Sequence, residues 1–249
     1  MLESTPRLVL DALSYEAQGR VIVSPVSIEL ALRGRTVILG PNGAGKSTLL
    51  QLIHGMLSPS AGSVTVLESP GESRSSAVRS RPVRPGDFGF VLQRPVMLSR
   101  SVEGNVLHAL AIRGVPARDR EFIARRALQQ VGLHELADRP ARRLSGGEQQ
   151  RLAIARATAA SPICLLLDEP TAHLDPGASS AIERLIASLT DSGPGFVMST
   201  HDLGQARRLA DRVLFMHRGA VVECSAATTF FQRPSTESAR RFLAGELLD

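Results

Sequence analysis

The amino-acid sequence predicts an α/β fold: a core sheet of parallel strands, a flanking antiparallel β subdomain and an inserted α-helical subdomain. Three observations predict it. The stretch "RTVILGPNGAGKSTLLQLIHGML" passes from a β-branched apolar strand through a glycine-rich loop into a segment of helical composition. "ICLLLDEP" (Ile163–Pro170) is a continuous apolar run closed by two acids, the pattern of a strand buried on both faces. From about Pro95 to Arg143 the spacing of apolar residues turns helical. Residues 1–249 read as a single domain, with the helical subdomain at about 95–143 inserted in the core.

The bulk properties narrow the function classes. A chain of 249 residues is long enough for one large α/β domain, and a hydrophobic content of 43% excludes wholesale disorder. The longest apolar runs, such as Ile163–Leu167, fall far short of the ~18 to 20 residues of a membrane span. The start "MLESTPR" lacks a basic segment followed by an apolar one, so no secretory leader is expected and the chain reads as soluble and intracellular. Cys164 and Cys224 form no metal-ligand or disulfide framework, and Cys164 reads as a small buried hydrophobe. A net charge of +5 would suit nucleic acid or an anionic surface. The arginines are scattered among acids, however, and no long basic block is interleaved with aromatics, so no nucleic-acid partner is expected.

In chain order, Leu8–Leu39 alternates apolar and polar residues, including "VSIELAL", and reads as the short strands of the flanking sheet. Next comes "GPNGAGKS" (Gly40–Ser47), which fits G-x-x-x-x-G-K-[ST], the phosphate-binding loop. Gly40, Pro41, Asn42, Gly43, Ala44 and Gly45 supply a backbone whose N–H groups wrap phosphate oxygens, and the following helix adds its positive end through Ser47 and Thr48. Lys46 reaches the β- and γ-phosphates, and the Ser47 hydroxyl holds Mg²⁺. Lys46 is also the only lysine, since the other 28 of the 29 strong bases are arginine. A planar guanidinium is bulky inside a loop closed around phosphates, whereas an ammonium on a flexible stem is compact. Nucleotide binding is the expectation.

"ESPGESRSSAVRSRPVRPGD" (Glu68–Asp87), rich in Ser, Arg, Pro and Gly, reads as a mobile loop. In "VPARDREFIARRALQQVGL", Pro116 starts a helix, Phe122, Ile123, Ala127, Leu128 and Val131 form its apolar positions, and Gly132 stops it. "LSGGEQQRLAIARATA" (Leu144–Ala159) opens with Ser145 and, three residues later, Glu148, a capping box. Leu152, Ala155, Arg156 and Ala159 follow on one face, and two glycines at the helix start leave amides bare as an anion site. At the end of the "ICLLLDEP" strand, Asp168 completes the Mg²⁺ environment, mostly through water, and Glu169 is placed to polarise an attacking water.

"GPNGAGKST", "LSGGEQQR", "LLLDEPTAHLD" and "STHD" stand in an order and spacing that resembles the nucleotide-binding subunits of ATP-binding cassette (ABC) transporters, from about Leu8 to Leu247. The resemblance implies ATP and Mg²⁺ as cofactors and a homodimer that clamps two ATP molecules head to tail. Ser145, Gly146 and Gly147 then contact the γ-phosphate held by the partner's Lys46. It further implies that Gln93 senses Mg²⁺ and the attacking water, that His201 is the switch histidine of the γ-phosphate, and that Tyr15 stacks on adenine. Asp175 matches the loop that touches the opposite subunit, although His173 stands at a variable family position and Ala172 replaces a common serine. The segment Arg94–Val106 matches the region that receives the coupling helices of transmembrane permease subunits; exposed Met97 and Leu98 would suit that groove, and ordinary core packing of either is the equal alternative. The location implied is the cytoplasmic face of the membrane, peripheral through the permease, with a substrate-binding protein as an indirect partner.

"LQRPVMLSRSVEGNV" and "STHDLGQARRLADRVLFMHRGAVVE" look most similar to ATPases of oxyanion importers, the tungstate type first, then molybdate or phosphate. The reading is an ATPase that powers an importer. Another importer, or a cassette ATPase not coupled to a permease, stays open.

Overall fold

The computed structural model describes residues 5–68, 79–191 and 193–246. They fall into two compact units, Met1–Arg84 with Gly195–Asp249, and Pro85–Pro194. Strands and helices are numbered along the chain.

In the first unit, β1 (Arg7–Ala17), β2 (Arg20–Ala31), β4 (Ala61–Glu68) and β5 (Arg79–Pro82) form an antiparallel sheet in the order β2-β1-β4-β5. Pairing of Leu8 with Leu30 and Leu10 with Ile28 sets the register. The alternation seen in the sequence places Leu8, Leu10, Leu13, Val23, Val26 and Leu30 in the core. β5 corrects the expectation of a loop over Glu68–Asp87. Arg79–Pro82 is an edge strand paired with Glu68–Thr65, and the Arg81 guanidinium pairs with the Glu68 carboxylate. Backbone pairing to β4 needs no apolar side chain, so "RSRP" carries no strand signature. Residues 69–78 of that expected loop lie outside the described residues.

The same unit contains β3 (Arg35–Leu39), parallel to both β8 (Gly195–Thr200) and β9 (Arg212–His217), with β10 (Ala220–Ala226) antiparallel to β9. All six residues of β8 are buried, its apolar Phe196–Met198 run and the polar Ser199 and Thr200 at its end alike. Helix α1 (Lys46–His54) follows β3, and α6 (Leu203–Leu209) follows β8. The chain closes with α7 (Ala227–Gln232) and α8 (Glu237–Leu243). Phe215 on β9 packs against Phe230 of α7 and Phe242 of α8 at centroid distances of 5.8 and 5.2 Å. Glu223 of β10 is buried, and one of its oxygens accepts from Ser235 N, Thr236 N and Thr236 Oγ1 at 2.9, 3.1 and 3.3 Å. That carboxylate ties the start of α8 to the sheet.

In the second unit, β6 (Phe88–Val91) and β7 (Cys164–Asp168) are parallel neighbours. The helical segment holds α2 (Val102–Ile112) and α3 (Ala117–Gln130), two one-turn 3₁₀ helices, His134–Leu136 and Ala141–Arg143, then α4 (Gly146–Thr158). Helix α5 (Pro176–Thr190) follows β7. Close approach of α4 to β6 rests on Gly89, where a Cβ would lie 2.4 Å from the Ala157 carbonyl oxygen. Pro116 caps α3 and Gly132 ends the segment at φ 66°, as expected, but Phe122 is 72% exposed and takes no part in the core. Ala124 is buried instead, so the face turned inward is Ala124–Ala127–Leu128, three and four residues apart.

The exposure expected for Met97 also changes. Met97 is 7% exposed and its neighbour Val96 is 66% exposed, while Leu98 is half-buried. Buried Asn105 decides this local fold. Its carboxamide oxygen accepts from Leu98 N at 3.1 Å and its nitrogen donates to the Ser101 carbonyl at 2.9 Å. The Leu98–Ser101 bend is thereby held on α2, and Met97 turns inward. No helix among the described residues is long and apolar enough to cross a membrane.

Candidate nucleotide-binding site

The first unit holds Tyr15, Gly40–Thr48 and His201. Leu39 of β3 pairs with Thr200 of β8, so Gly40 and His201 leave two parallel neighbouring strands at the same end. The loop from Gly40 lies tightly against backbone. A Cβ at Gly40 would stand 2.2 Å from the Met216 carbonyl oxygen, and one at Gly45 (φ 94°) would stand 2.7 Å from that of Ile22. At Gly43 (φ 78°) no atom lies within 4 Å of the added carbon, so the backbone conformation alone requires glycine there.

The Lys46 side chain is 5% exposed, and its ammonium donates to the carbonyls of Gly40 and Pro41 at 2.8 and 3.0 Å. The charge is thus held within the curve of its own loop. Helix α1 begins on Gly45 with no side-chain cap, leaving its first-turn N–H groups directed out of the helix end beside half-buried Ser47 and Thr48. Pro41 is half-buried, Asn42 exposed and Ala44 buried. Half-buried Tyr15 pairs with Val23 of β2, next to the Ile22 carbonyl that supports Gly45. Exposed His201 follows β8.

The sequence reading missed one support of this loop. Gly219, in the turn between β9 and β10, donates from its N–H to the Ala44 carbonyl at 3.2 Å, and its own carbonyl accepts from Ser24 N at 2.8 Å. Arg218 (φ 50°) and Gly219 (φ 78°) are both left-handed, a two-residue hairpin turn. The signal was there in "HRGAVVE", a glycine between two β-forming runs.

The second unit holds Gln93, Ser145–Gly147, Asp168 and Glu169. Val91 of β6 pairs with Leu167 of β7, so Gln93 and Glu169 each stand two residues beyond a paired position, at one end of two parallel strands. Asp168, the last residue of β7, is 5% exposed. Glu169 is left-handed at φ 41° and His173 at φ 67°, each of which costs a non-glycine residue about 1 kcal/mol or more. The turn is fixed by Ala172 N donating to the Glu169 carbonyl at 3.0 Å and by Leu174 N donating to Thr171 at 3.2 Å. Asp175 then caps α5, accepting from Ala178 N at 2.9 Å. Gln93 Nε2 lies 3.4 Å from His173 Nε2.

The capping box of α4 is formed in both directions. Ser145 N donates to Glu148 Oε2 at 2.7 Å, and Glu148 N donates to Ser145 Oγ at 3.4 Å. The Ser145 backbone N–H and then its hydroxyl, both donating to the carboxylate, hold Glu148 below the usual carboxylate range. A Cβ at Gly146 would meet only Leu174 Cδ2, at an ordinary 3.5 Å. Packing inside the chain therefore does not demand glycine at Gly146, whereas at Gly147 a Cβ would stand a tight 3.3 Å from that of Ala178.

These groups suit a nucleoside triphosphate with a hard cation. Lys46 and the uncapped α1 N-terminus present positive charge and N–H donors to phosphate oxygens. Within the second unit, the carboxylate of Asp168 and the carboxamide of Gln93 are oxygen donors of the kind a hard cation takes.

Comparison with known proteins agrees. The ABC transporter family profile matches residues 23–172. The phosphate import ATP-binding protein PstB 2 of Natronomonas pharaonis is 35% identical, over 97% of this chain and 87% of that protein. The glutamate transport ATP-binding protein GluA of Corynebacterium efficiens is 36% identical, over 91% of this chain and 93% of that protein. Among solved structures, cbiO1 of Clostridium perfringens, part of the ABC transporter complex cbiONQ, superposes with a TM-score of 0.77 at 29% identity, covering 91% of this chain and 90% of that one. The relatives differ in cargo, and tungstate is not among those named. With its phosphate loop and capped signature helix in place and this family matched over most of its length, the chain belongs to the ABC transporter family as an ATP-hydrolysing nucleotide-binding domain.

Proposed function

We propose that this chain is the ATP-hydrolysing subunit of a membrane importer whose cargo is an oxyanion, with tungstate, molybdate and phosphate as the set to test. The observation that carries the coupling role is the presence in one chain of two glycine-bearing helix N-termini, at α1 and α4, on segments about a hundred residues apart. One chain needs only one for its own triphosphate. The second serves the ATP of a second copy, which makes ATP the closing element of a homodimer. The oxyanion reading is supported by the phosphate importer, whose similarity extends over 97% of this chain.

In this reading Tyr15 stacks on adenine, the Gly40–Gly45 backbone wraps the phosphates, and Lys46 neutralises the β- and γ-phosphates. Ser47 and Thr48 lie in the first turn of α1 beneath them. Mg²⁺, when bound with ATP, neutralises charge building on the phosphate oxygens; Ser47, Asp168 and Gln93 are the residues that would hold it. Glu169 accepts a hydrogen bond from the attacking water and so polarises it, and His201 contacts the γ-phosphate. Ser145, Gly146 and Gly147 donate to the γ-phosphate held by the other copy. Hydrolysis removes the shared contact and lets the dimer reopen, and that motion switches the permease subunits at the cytoplasmic face. A substrate-binding protein delivers cargo on the opposite side.

The test is capture with Glu169→Gln as bait, in Mg-ATP, from detergent-solubilised membranes of the source cell, with partners identified by mass spectrometry. A permease among them supports the importer reading, and its cognate binding protein can then be titrated with tungstate, molybdate and phosphate. Recovery of soluble partners alone would remove the membrane role.

A further inference from the structure

We infer that His173 is a positioning residue for Gln93: it holds the glutamine carboxamide with its nitrogen engaged and its oxygen presented. The inference rests on the proposed role of Gln93 toward the cation and the attacking water. It starts from the 3.4 Å contact between Gln93 Nε2 and His173 Nε2. In this arrangement the carboxamide nitrogen donates and the histidine Nε2 accepts, a role open to the tautomer that carries its proton on Nδ1. That fixes which end of the amide points where. A glutamine without such a partner can rotate its amide by half a turn at little cost, and then turns an NH₂ group toward the position its oxygen should serve.

The backbone makes the contact possible. The β6–β7 register places Gln93 and Glu169 at one strand end, and the chain after Glu169 turns back so that His173 reaches across to Gln93, 80 residues earlier. The turn is fixed at both sides, by the Ala172–Glu169 and Leu174–Thr171 hydrogen bonds and by the Asp175 cap of α5. His173 is left-handed at φ 67° and exposed. Glycine is the low-cost residue at such a position, and histidine is among the few others that adopt it. The contact with Gln93 is the side-chain interaction it makes there. Notably, this contact is made entirely within the second unit and needs no second copy of the chain.

The backbone also supplies a clean test, because His173→Gly deletes the acceptor while relieving the left-handed residue, so loss of effect cannot be ascribed to misfolding. His173→Gln restores an acceptor at similar reach. The first readout is the side-chain NH₂ resonances of Gln93 in the chain free of nucleotide and Mg²⁺, assigned by their disappearance in Gln93→Glu. They should shift and exchange faster with water in His173→Gly and return toward the original positions in His173→Gln. The second is the Mg²⁺ concentration for half-maximal ATP hydrolysis, which should rise about tenfold in His173→Gly, in the range seen when a residue orienting a metal ligand is removed, while KM for ATP stays the same. Unmoved Gln93 resonances would overturn the contact. Shifted resonances with an unchanged Mg²⁺ requirement would overturn the positioning role. If Gln93→Ala also left the Mg²⁺ requirement unchanged, the fault would lie in the role given to Gln93, which separates the two failures.

Discussion

The Lys46 ammonium lies 2.8 Å from the carbonyl oxygen of Gly40, six residues back along its own loop. With Pro41 accepting at 3.0 Å, the loop organises its cation from within. Gly40 in turn sits where only a missing Cβ permits the approach to Met216.

That arrangement makes Lys46→Ala a loss of phosphate charge in a loop whose backbone stays in place. Equilibrium titration with a fluorescent ATP analogue should show binding weakened by more than tenfold, with the thermal transition little changed. Lys46→Arg should fail as well, because the side chain is nearly fully buried and a planar guanidinium does not fit the curve. Unaltered affinity in either variant would contradict the assignment.

Glu169→Gln keeps the size and the left-handed turn at φ 41° but removes the base. Hydrolysis should slow by about 10² to 10⁴-fold, the span expected for loss of general-base catalysis, while ATP binding persists. Light scattering in Mg-ATP should then detect an accumulated dimer. A variant that binds ATP yet stays monomeric argues against the two-copy clamp.

The capping box sets a pH dependence. Glu148 is held below its ordinary value of 4.5 by the Ser145 N–H and hydroxyl. A depressed carboxylate adds stability above its unfolded pKa and loses it as pH falls through the folded one. Urea midpoints of the unaltered chain and Glu148→Ala should therefore differ at pH 7 and converge once pH drops well below 4.5. Ser145→Ala should cost about 1 kcal/mol at neutral pH, the usual effect of losing an N-cap side chain.

Glu223→Ala removes the acceptor of three groups at the start of α8. Burial pushes this carboxyl up, but the Ser235 and Thr236 donors outweigh it and hold it below its ordinary value. The substitution should cost about 1.5 to 3 kcal/mol, the worth of hydrogen bonds to a charged acceptor, and should release α8 first. Hydrogen exchange of Ala239–Leu243 faster than that of β9 would report it.

Much of the site was legible in the sequence because its parts are local. A phosphate loop, a capping box and an acid pair at a strand end are each defined within about eight consecutive residues, where turn geometry and helix ends dictate residue type. The capping box between Ser145 and Glu148 formed as read, and Pro116 and Gly132 bound their segment as read. The errors have a common origin. Met97 was placed by resemblance and Phe122 by local spacing, yet burial is settled by what packs on each face: Asn105 folds Leu98–Ser101 onto α2 and turns Met97 inward, while Phe122 stays 72% exposed. The Arg79–Pro82 strand exists because β4 offers a free edge, a fact about another segment.

By itself, then, the sequence determined the residue types that phosphate chemistry needs and the order of the elements that carry them, because those demands act over a few bonds. Tertiary structure alone decided which distant backbone supports the loop, Met216, Ile22 and Gly219, and which side chain meets Gln93. Those contacts join residues 23 to 176 positions apart, and their existence follows from strand pairing and close packing, which no short stretch of sequence encodes.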